Sequence, residues 1–432
     1  MTRRGASFDR VGLLKPLRHR DFRLLWGGTT VSMVGDGFFV IALAWQVYDL
    51  SPNPAALAAV GVAWSLPQVL LLMPGGVLAD RMDRRSLMIA GDLLRALAVG
   101  AMATLSLAGI ITVEVIVGLS ALFGIGDALF IPSFTSIVPS LVPEEHLVHA
   151  NSLAEFINPV AHTLLGPFLG GIIIGVAGVG WAFAADAASF VFSALMIGLI
   201  AHRHVRTEKQ SSPMEDLREG LAFVRRNRWF WVSLVSTGAA ILCTVGAWDA
   251  LVTFLIKEEL GASAFALGLV FAAGGVGALV AAVVMGQRGR LPRKPLTAYY
   301  VAFAISCLLM LGFGLVFDVW QALVISALVQ AASATSNILW FTMEYRLVPK
   351  EMLGRVGSLD WMIVLAGLPL SYALVGPLAD LIGVRETLMA TGALGALMML
   401  VPIFIPGALT PERDGSLHET PATESAPSAT AV

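Results

Sequence analysis

Long apolar segments, separated by short polar ones, follow one another along almost the whole chain. A helix needs roughly 20 apolar residues to cross the hydrocarbon core of a bilayer. The segments lack the strict apolar–polar alternation that a transmembrane barrel requires. The pattern therefore predicts twelve membrane-spanning helices, over residues 22–48, 54–79, 86–109, 113–136, 150–176, 180–201, 231–256, 264–286, 295–316, 319–345, 357–381 and 385–406.

The composition supports an all-α membrane protein. The chain has 432 residues, of which 57% are hydrophobic and 13% are charged, whereas an ordinary soluble domain carries about 25% charged residues. A water-soluble protein could not hide this much apolar surface, so lipid must be the solvent for most of the chain. The first apolar segment is too long for a cleavable signal and is predicted to be helix 1.

Basic residues are concentrated on one side of the predicted bundle. The N-terminal arm and the segments after helices 2, 6, 8 and 10 carry most of them, whereas the opposite loops hold only Lys257 and Arg385. Cytoplasmic loops of membrane proteins carry the excess of lysine and arginine. We therefore expect a multi-pass protein of the cell membrane with both termini in the cytoplasm.

The chain divides into two halves joined by a polar connector. Apolar residues at helical spacing between Met214 and Val224 predict a connector helix, which lies either on the membrane surface or in solvent. The expected organisation is an N-terminal six-helix bundle with a basic cytoplasmic arm over 1–201, the connector over 202–229, a C-terminal six-helix bundle over 230–408 and a disordered cytoplasmic tail over 409–432.

The two halves resemble each other in sequence. Residues 140–156 align without gaps with residues 346–362, and both segments contain a Leu-Val-Pro tripeptide. "GPFLGG" at 166–171 is echoed by "GPLADL" at 376–381. The offset is close to half the chain in both cases, which indicates a duplication. Two parallel six-helix repeats are one plan of secondary transporters, with the substrate site between them near the middle of the membrane.

The loop after helix 2 reads "GGVLADRMDRR" and fits G-x-x-x-D-R-x-x-R-R at Gly76, Asp80, Arg81, Arg84 and Arg85. A glycine lets helices approach closely, an aspartate suits a helix N-terminus, and arginines bind carboxylates. We expect a latch across the cytoplasmic seam of the two halves. Membrane anchoring alone would also account for Arg84 and Arg85.

This loop resembles the signature of the major facilitator superfamily between helices 2 and 3. The stretches "LRHRDFRLLWGGTTVSMVGDGFFVIALAWQVY" and "LPQVLLLMPGGVLADRMDRRSLMIAGDLLRAL" are similar to its drug:proton antiporter branch, of the macrolide-efflux and enterobactin-exporter type. The resemblance covers nearly the whole chain and implies two six-helix halves around a central cavity. The chain departs from the pattern at Asp83, where the signature usually has glycine, and at Ala121, near which many proton antiporters have an arginine.

The resemblance also implies an antiporter-type motif on helix 5. It consists of Gly166, Pro167, Gly170 and Gly171 in "GPFLGG". The residues support this interpretation, because small side chains leave a smooth face for a neighbouring helix and proline loosens a helix. Plain helix packing would use the same residues. The functional hypothesis is a face that slides during alternating access.

Carboxylates inside predicted spans are costly, so each marks a candidate functional site. Asp36 on helix 1 and Asp127 on helix 4 lie near the middle of the membrane with no obvious basic partner. A desolvated carboxylate favours its protonated form, as a proton-coupling site requires; a cationic substrate is the other possible ligand. The alternative for Asp36 is a hydrogen bond to a nearby threonine or serine. Asp249 on helix 7 is expected either in the cavity or at an interface.

Other acids have different expected roles. Asp186 on helix 6 is expected to serve in capping or packing, with a place in the cavity as the alternative. Asp92 and Arg95 are expected to pair along helix 3. Three acids fall near the cytoplasmic ends of helices 5, 10 and 11, at the level of the signature arginines. We expect them to form ion pairs that close an inner gate, or static salt bridges at the membrane edge: Glu155, Glu344 and Asp360.

These features together predict an efflux transporter that exchanges protons for an amphipathic drug-like compound by alternating access. The sequence has no nucleotide-binding loop, metal-ligand cluster or nucleophile–base pair. We therefore expect no enzyme, cofactor, metal or nucleic-acid partner, and a monomer whose partners are protons, a small substrate and the bilayer. The alternatives are a dedicated exporter of one metabolite, such as a siderophore or lysophospholipid, and a transporter-like sensor that moves nothing.

Overall fold

The computed structural model of the chain describes residues 12–143, 146–201, 213–288, 291–349 and 352–414. These residues are almost entirely helical, and twelve of the helices that they form are long and apolar enough to cross a membrane. The predicted all-α fold with two halves of six spans is thereby confirmed. A short 3₁₀ helix, Gly12–Arg18, precedes the first span.

The six spans of the N-terminal half follow the predicted ranges closely. Helix 5 has three consecutive parts, of which the middle one has π-helical hydrogen bonding. The spans are helix 1 (Arg20–Leu50), helix 2 (Pro54–Arg81), helix 3 (Arg84–Leu107), helix 4 (Val113–Leu141), helix 5 (Leu147–Asn158, Pro159–Leu165 and Gly166–Ala177) and helix 6 (Val179–Gly198).

The C-terminal half repeats this arrangement. Helix 7 contains two π-helical segments, Ala247–Leu251 and Leu255–Glu259. The spans are helix 7 (Arg228–Glu259), helix 8 (Ala264–Arg288), helix 9 (Pro295–Leu315), helix 10 (Val319–Leu347), helix 11 (Leu353–Ile382) and helix 12 (Val384–Phe404). The described residues of the arginine-rich loops after helices 2, 8 and 10 lie at one end of this bundle, which we call the basic end; the other is the far end.

Local sequence signals define several helix ends. The side chain of Asp83 accepts a hydrogen bond from the backbone N–H of Ser86 and so caps helix 3, which gives a structural reason for an aspartate where the signature usually has glycine. Gly178 and Gly383 have φ of 96° and 95° and join helix 5 to helix 6 and helix 11 to helix 12. Glycine adopts this backbone conformation without strain.

The halves contact each other through helix 2 on helix 11 and helix 5 on helix 8. Glycines make these contacts close. A Cβ atom on Gly376 would lie 2.8 Å from the Cα of Ala55, and one on Gly171 would lie 3.2 Å from the Cα of Gly268. All four residues lie in the part of their helices nearer the far end. The halves are therefore packed tightly at the far end.

The connector helix, Pro213–Arg226, packs on helix 11 and belongs to the C-terminal half. Glu219 forms an ion pair with Arg355, and a Cβ on Gly220 would lie 3.0 Å from a methyl group of Leu359. Val224 is buried in the core of this half. The helix therefore packs against protein on one side, and whether its other side faces the membrane surface or solvent stays a prediction. Helix 7 begins at Arg228, three residues before the predicted start of that span at residue 231.

The predicted disordered tail begins too early. Residues Thr410–Arg413 form a short helix, and the carboxylate of Glu412 accepts hydrogen bonds from the backbone N–H and the hydroxyl of Thr297, each at 3.0 Å. Ala408 and Pro411 are buried. The C-terminal half thus extends to residue 414. The predictions for residues 1–11, 202–212 and 415–432 fall outside the described residues.

Candidate functional site

Asp36 lies in the middle of helix 1 between two glycines that bring other helices close. At Gly35 the side chains of Asp186 and Ser189 on helix 6 occupy the space that a Cβ would need, and a Cβ on Gly37 would lie 2.5 Å from the Cα of Gly166 on helix 5. Oδ1 of Asp36 is buried and has no hydrogen-bond partner among the described residues. The expected bond to a nearby hydroxyl is absent there.

Arg95 on helix 3 connects the buried acids of the N-terminal half. It forms ion pairs with Asp92 on its own helix and, at 3.2 Å, with Asp127 on helix 4. Trp64 on helix 2 donates a hydrogen bond to the other oxygen of Asp127 at 2.9 Å. The expected Asp92–Arg95 pair is therefore present. The expectation that Asp127 has no basic partner is wrong, because its partner comes from the neighbouring helix.

Two aromatic rings hold the guanidinium of Arg95 in place. Its central carbon lies 4.4 Å from the ring centroid of Phe130 and 4.4 Å from that of Phe190. Arg95 is only 4% exposed, and an attraction between a cation and an aromatic face is strongest when both are shielded from water. Helix 3 thus provides a buried arginine, Arg95, whereas helix 4 has Ala121 near the position where many proton antiporters have an arginine.

Asp186 on helix 6 completes a group of four carboxylates around this one arginine. Ser189 donates a hydrogen bond to Oδ1 of Asp186 at 3.2 Å, whereas Oδ2 is buried without a partner among the described residues. Both Asp36 and Asp186 lie within electrostatic reach of Arg95. We call Asp36, Asp92, Asp127, Asp186 and Arg95 the Arg95 cluster. Sequence reasoning missed the role of Asp186, although an acid in mid-span was the signal.

The Arg95 cluster has more acidic groups than one arginine can neutralise. Four carboxylates and one guanidinium would carry a net charge of −3 if all were ionised, and uncompensated charges in a low-dielectric interior are very costly. The arrangement is therefore suited to holding protons. Asp92, Asp127 and Asp186 are buried, whereas Asp36 is only half-buried. Asp36 is the member through which protons or a ligand could be exchanged.

Asp249 lies apart from this cluster, at the contact between the halves. It belongs to the π-helical segment Ala247–Leu251 of helix 7 and accepts a hydrogen bond from the hydroxyl of Tyr372 on helix 11 at 2.5 Å. The ring of Tyr372 lies against Gly61 on helix 2, where a Cβ would be 2.5 Å from the ring. Of the two expected locations, the structure shows an interface position. Isolated π-helical turns are frequent at functional sites.

Contacts at the far end join helix 1 to helix 7. The ammonium group of Lys257 forms an ion pair with Asp49 at 2.5 Å and donates to the carbonyl of Trp45 at 2.9 Å. It also lies 4.6 Å from the ring centroid of Trp45. Tyr48 donates a hydrogen bond to the carbonyl of Ala250 at 2.9 Å. The two halves are therefore tied together at this end.

At the basic end, the signature arginines contact their own half. Arg84 donates to the carbonyl of Ser136 at the end of helix 4 at 2.7 Å, and Arg85 donates to that of Gly198 at the end of helix 6. A Cβ on Gly76 would meet nothing within 4 Å; the close approach to helix 4 occurs at Gly75. The prediction that Gly76 provides this approach is wrong here, since the neighbouring residue faces helix 4.

The other predicted gate residues also lie at the basic end. Glu344 and Asp360 are buried in the C-terminal half, where Trp340 donates a hydrogen bond to Asp360 at 2.9 Å. The side chains of Asp80, Arg81 and Glu155 fall outside the described part of the chain. Ion pairs between these acids and the arginines therefore stay a prediction.

The motif on helix 5 contacts helix 1 of its own half and helix 8 of the other half. A Cβ on Gly166 would lie 2.6 Å from the Cα of Gly37 on helix 1, and one on Gly170 would lie 3.0 Å from that of Phe38. On another side, Gly171 packs against helix 8, and the carbonyl of Pro167 lies close to Gly268 there. Helix 5 thus connects the helix that carries Asp36 to the C-terminal half.

Among the described residues, no three histidine, cysteine, aspartate or glutamate side chains are placed to hold a metal ion.

The family model described as "Transmembrane secretion effector" matches residues 11–422. The multidrug efflux pump Tap of Mycolicibacterium fortuitum is 28% identical over 395 residues, which cover 86% of this chain and 92% of that protein. The enterobactin exporter EntS of Salmonella choleraesuis is 24% identical over 399 residues, which cover 90% and 94%.

A solved structure shares the fold. The bacterial homologue of the human lysosomal transporter Spinster, in an inward-facing and unoccupied conformation, superposes with a TM-score of 0.68 at 15% identity, covering 94% of this chain and 100% of that one. The family match spans nearly all of the chain and agrees with the signature loop and the helix 5 motif. The chain therefore belongs to the major facilitator superfamily of membrane transporters, in the family described as "Transmembrane secretion effector", and it is similar in sequence to drug and enterobactin exporters.

Proposed function

We propose that this protein is a proton-coupled efflux transporter of the cell membrane that exports amphipathic, drug-like compounds by alternating access. The observation that carries the proposal is the Arg95 cluster: Asp92 and Asp127 pair with Arg95, Asp36 and Asp186 lie within its electrostatic reach, and Asp36 has a buried oxygen with no hydrogen-bond partner among the described residues. Such a site binds and releases protons, because full ionisation would leave uncompensated negative charge in the apolar interior.

The proposed orientation places the basic end in the cytoplasm, together with both termini. It rests on the excess of lysine and arginine at that end. The far end is then extracellular, and the contacts of Lys257 and Tyr48 close it. This arrangement corresponds to a state that takes up substrate from the cytoplasm.

The coupling follows from competition at Asp36. A cationic substrate that enters from the cytoplasm and binds beside helix 1 favours the ionised carboxylate of Asp36, and the displaced proton leaves to the cytoplasm. After the halves rock and the far end opens, a proton from outside binds Asp36 and weakens the hold on the substrate, which leaves outward. Each cycle thus moves protons inward and substrate outward.

Helix 5 provides a mechanical route between the proton site and the halves. Asp36 is next to Gly37, which packs directly on Gly166, and the same helix 5 packs on helix 8 through Gly171. A small shift of helix 1 on a change of charge at Asp36 would therefore be passed to the contact between the halves. This use of the "GPFLGG" motif is part of the proposal.

The similarity to Tap supports a broad range of amphipathic drugs as substrates. The similarity to the enterobactin exporter EntS over 90% of the chain favours a second candidate, the export of one dedicated metabolite such as a siderophore. The two candidates share the proton site and the direction of transport. Competition among several unrelated amphiphiles for export would distinguish the broad exporter from the dedicated one.

The test uses purified protein in proteoliposomes with an imposed pH gradient and a panel of cationic dyes, macrolides and a catecholate siderophore. We expect the parent protein to transport at least one of these compounds, driven by the gradient. Asp36→Asn, which resembles the protonated residue, should abolish the response to the gradient and weaken substrate binding. Asp380→Asn, an exposed residue on helix 11, makes the same chemical change elsewhere and should behave as the parent. Full gradient-driven transport by Asp36→Asn would refute the proton-site assignment.

A further inference from the structure

A cavity outside the Arg95 cluster opens at the basic end of the C-terminal half. Its volume is about 350 Å³, within the range of roughly 300–1,000 Å³ that is usual for sites that bind small organic molecules. Three helix ends and one loop form its walls. The lining includes Met285 and Arg288 on helix 8, Leu291 and Pro292 in the following loop, Ala298 on helix 9 and Leu339 on helix 10.

The chemistry of the lining is apolar with one free positive charge. Thr335 on helix 10 also lines the cavity, but its hydroxyl donates to the carbonyl of Ala331 at 2.8 Å, within its own helix. Within the described ranges, the guanidinium of Arg288 has no ion pair and no hydrogen bond. A ligand that fits this cavity must therefore combine an apolar body with a negatively charged group.

Among the described residues, no carboxylate is paired with Arg288 at the rim of the cavity. Lys294, which precedes helix 9, is exposed and makes no ion pair in the described part of the chain. Glu412, near the start of helix 9, is already bound by Thr297. Glu412 stays ionised when it accepts from a neutral hydroxyl, so the charge that faces the cavity is that of Arg288 itself.

Exposed apolar side chains on helix 8 extend from Arg288 toward the middle of the span. Val284, Val280 and Val276 lie four, eight and twelve residues before Arg288. They form the inclined i+4 row of the helix surface, which turns by about 120° around the axis between Arg288 and Val276. The three valines are 45%, 55% and 47% exposed. An apolar chain that starts at the cavity can thus extend along helix 8 toward the middle of the membrane.

We propose that this cavity binds one anionic phospholipid, with its phosphate on Arg288 and an acyl chain in the apolar part of the cavity and along the row of valines. Basic pockets between transmembrane helices recognise anionic headgroups in this way. The inference does not depend on which substrate the protein exports. It adds a lipid site in the C-terminal half to the proton site in the N-terminal half.

The test measures lipid binding by native mass spectrometry of purified, delipidated protein. Phosphatidylglycerol and phosphatidylcholine with identical acyl chains are titrated against the parent, Arg288→Gln and Arg225→Gln, the last being an exposed arginine of the connector helix. Loss of a charged hydrogen bond should weaken phosphatidylglycerol binding to Arg288→Gln about tenfold. Phosphatidylcholine carries the same phosphate beside a cationic choline, so its binding to Arg288→Gln should weaken less. Both affinities of Arg225→Gln should stay at the parental value.

A second variant tests the position of the acyl chain. Ala298→Trp places a large side chain in the cavity and leaves Arg288 unchanged. It should weaken the binding of both lipids. Equal losses in Arg288→Gln and Arg225→Gln would mean diffuse surface attraction and would overturn the proposal, as would unchanged lipid binding in Ala298→Trp. If inorganic phosphate displaced phosphatidylglycerol at matched phosphate concentrations, the site would be one for a free anion and the lipid assignment would be wrong.

Discussion

The guanidinium of Arg95 on helix 3 lies 3.2 Å from the carboxylate of Asp127 on helix 4, and both groups are buried. The same guanidinium also pairs with Asp92. A buried ion pair of this kind contributes little net stability, but removing one partner is costly because the other charge is left uncompensated. The charge balance of the buried acids in the N-terminal half therefore depends on a single arginine.

Arg95→Gln should strongly destabilise the protein, and the effect should depend on pH. The variant leaves four carboxylates without a cation, and breaking a buried pair costs about 3–5 kcal/mol. Acid supplies protons that remove the uncompensated negative charges, so the loss should be smaller at pH 5.5 than at pH 7.5. Thermal unfolding of the parent and of Arg95→Gln in detergent, at both pH values, measures this loss of stability. An equal loss at the two pH values would show that the aromatic contacts of Arg95, and not its charge, hold the bundle together.

The sequence was sufficient to predict the spans but not the partners of the buried charges. Twelve apolar segments and two halves follow from segment length and composition, which do not depend on how the helices pack. The Asp92–Arg95 pair could be predicted because residues three apart share a helix face. The contact between Arg95 and Asp127 could not, since it depends on the rotation of helix 3 against helix 4.

The same limit explains the errors at smaller scale. The glycine pair at the end of helix 2 indicated a close approach, but only packing decides that Gly75 and not Gly76 faces helix 4. The tail after residue 408 has polar, disorder-like composition, and the contact of Glu412 with Thr297 that orders its start joins residues far apart in sequence. Tertiary contacts of this kind leave no local pattern.

Gly166→Ala should disturb the contact between helices 1 and 5. The added methyl group would lie 2.6 Å from the Cα of Gly37, and overpacking of this kind costs about 1–3 kcal/mol. Gly175→Ala on the same helix is the matched control, because a Cβ there meets nothing within 4 Å. Gly166→Ala should therefore have a lower unfolding temperature and slower gradient-driven transport than Gly175→Ala. Equal behaviour would show that helix 1 moves away from helix 5 at little cost.

Lys257→Gln should loosen the far end. It removes the ion pair with Asp49 and the contact with Trp45, which join helix 7 to helix 1. Partly exposed pairs contribute up to about 1 kcal/mol, which corresponds to a shift of about fivefold in the ratio of open to closed far ends. Electron paramagnetic resonance distances between spin labels at the far ends of the halves measure this ratio.

The control for that experiment is Arg385→Gln. Arg385 pairs with Glu259 at 2.6 Å, at the same end of the bundle but within the C-terminal half, so its loss should not change the distance between the halves. The charge-reversed pair Lys257→Asp with Asp49→Lys should restore part of the closed population. Identical distance distributions in Lys257→Gln and the parent would show that the packing of helices 2 and 11 closes the far end alone.

Tyr372→Phe should separate the polar role of Tyr372 from its packing role. The ring stays against Gly61, whereas the hydrogen bond to Asp249 disappears. Leaving a buried carboxyl group without its donor costs about 1–3 kcal/mol, so we expect a lower unfolding temperature. In Asp249→Asn the carboxyl charge is already absent, and adding Tyr372→Phe should then cost less. A double-mutant cycle measures this coupling; additive effects would mean that Asp249 does not depend on Tyr372 and that its carboxylate has another partner between the halves.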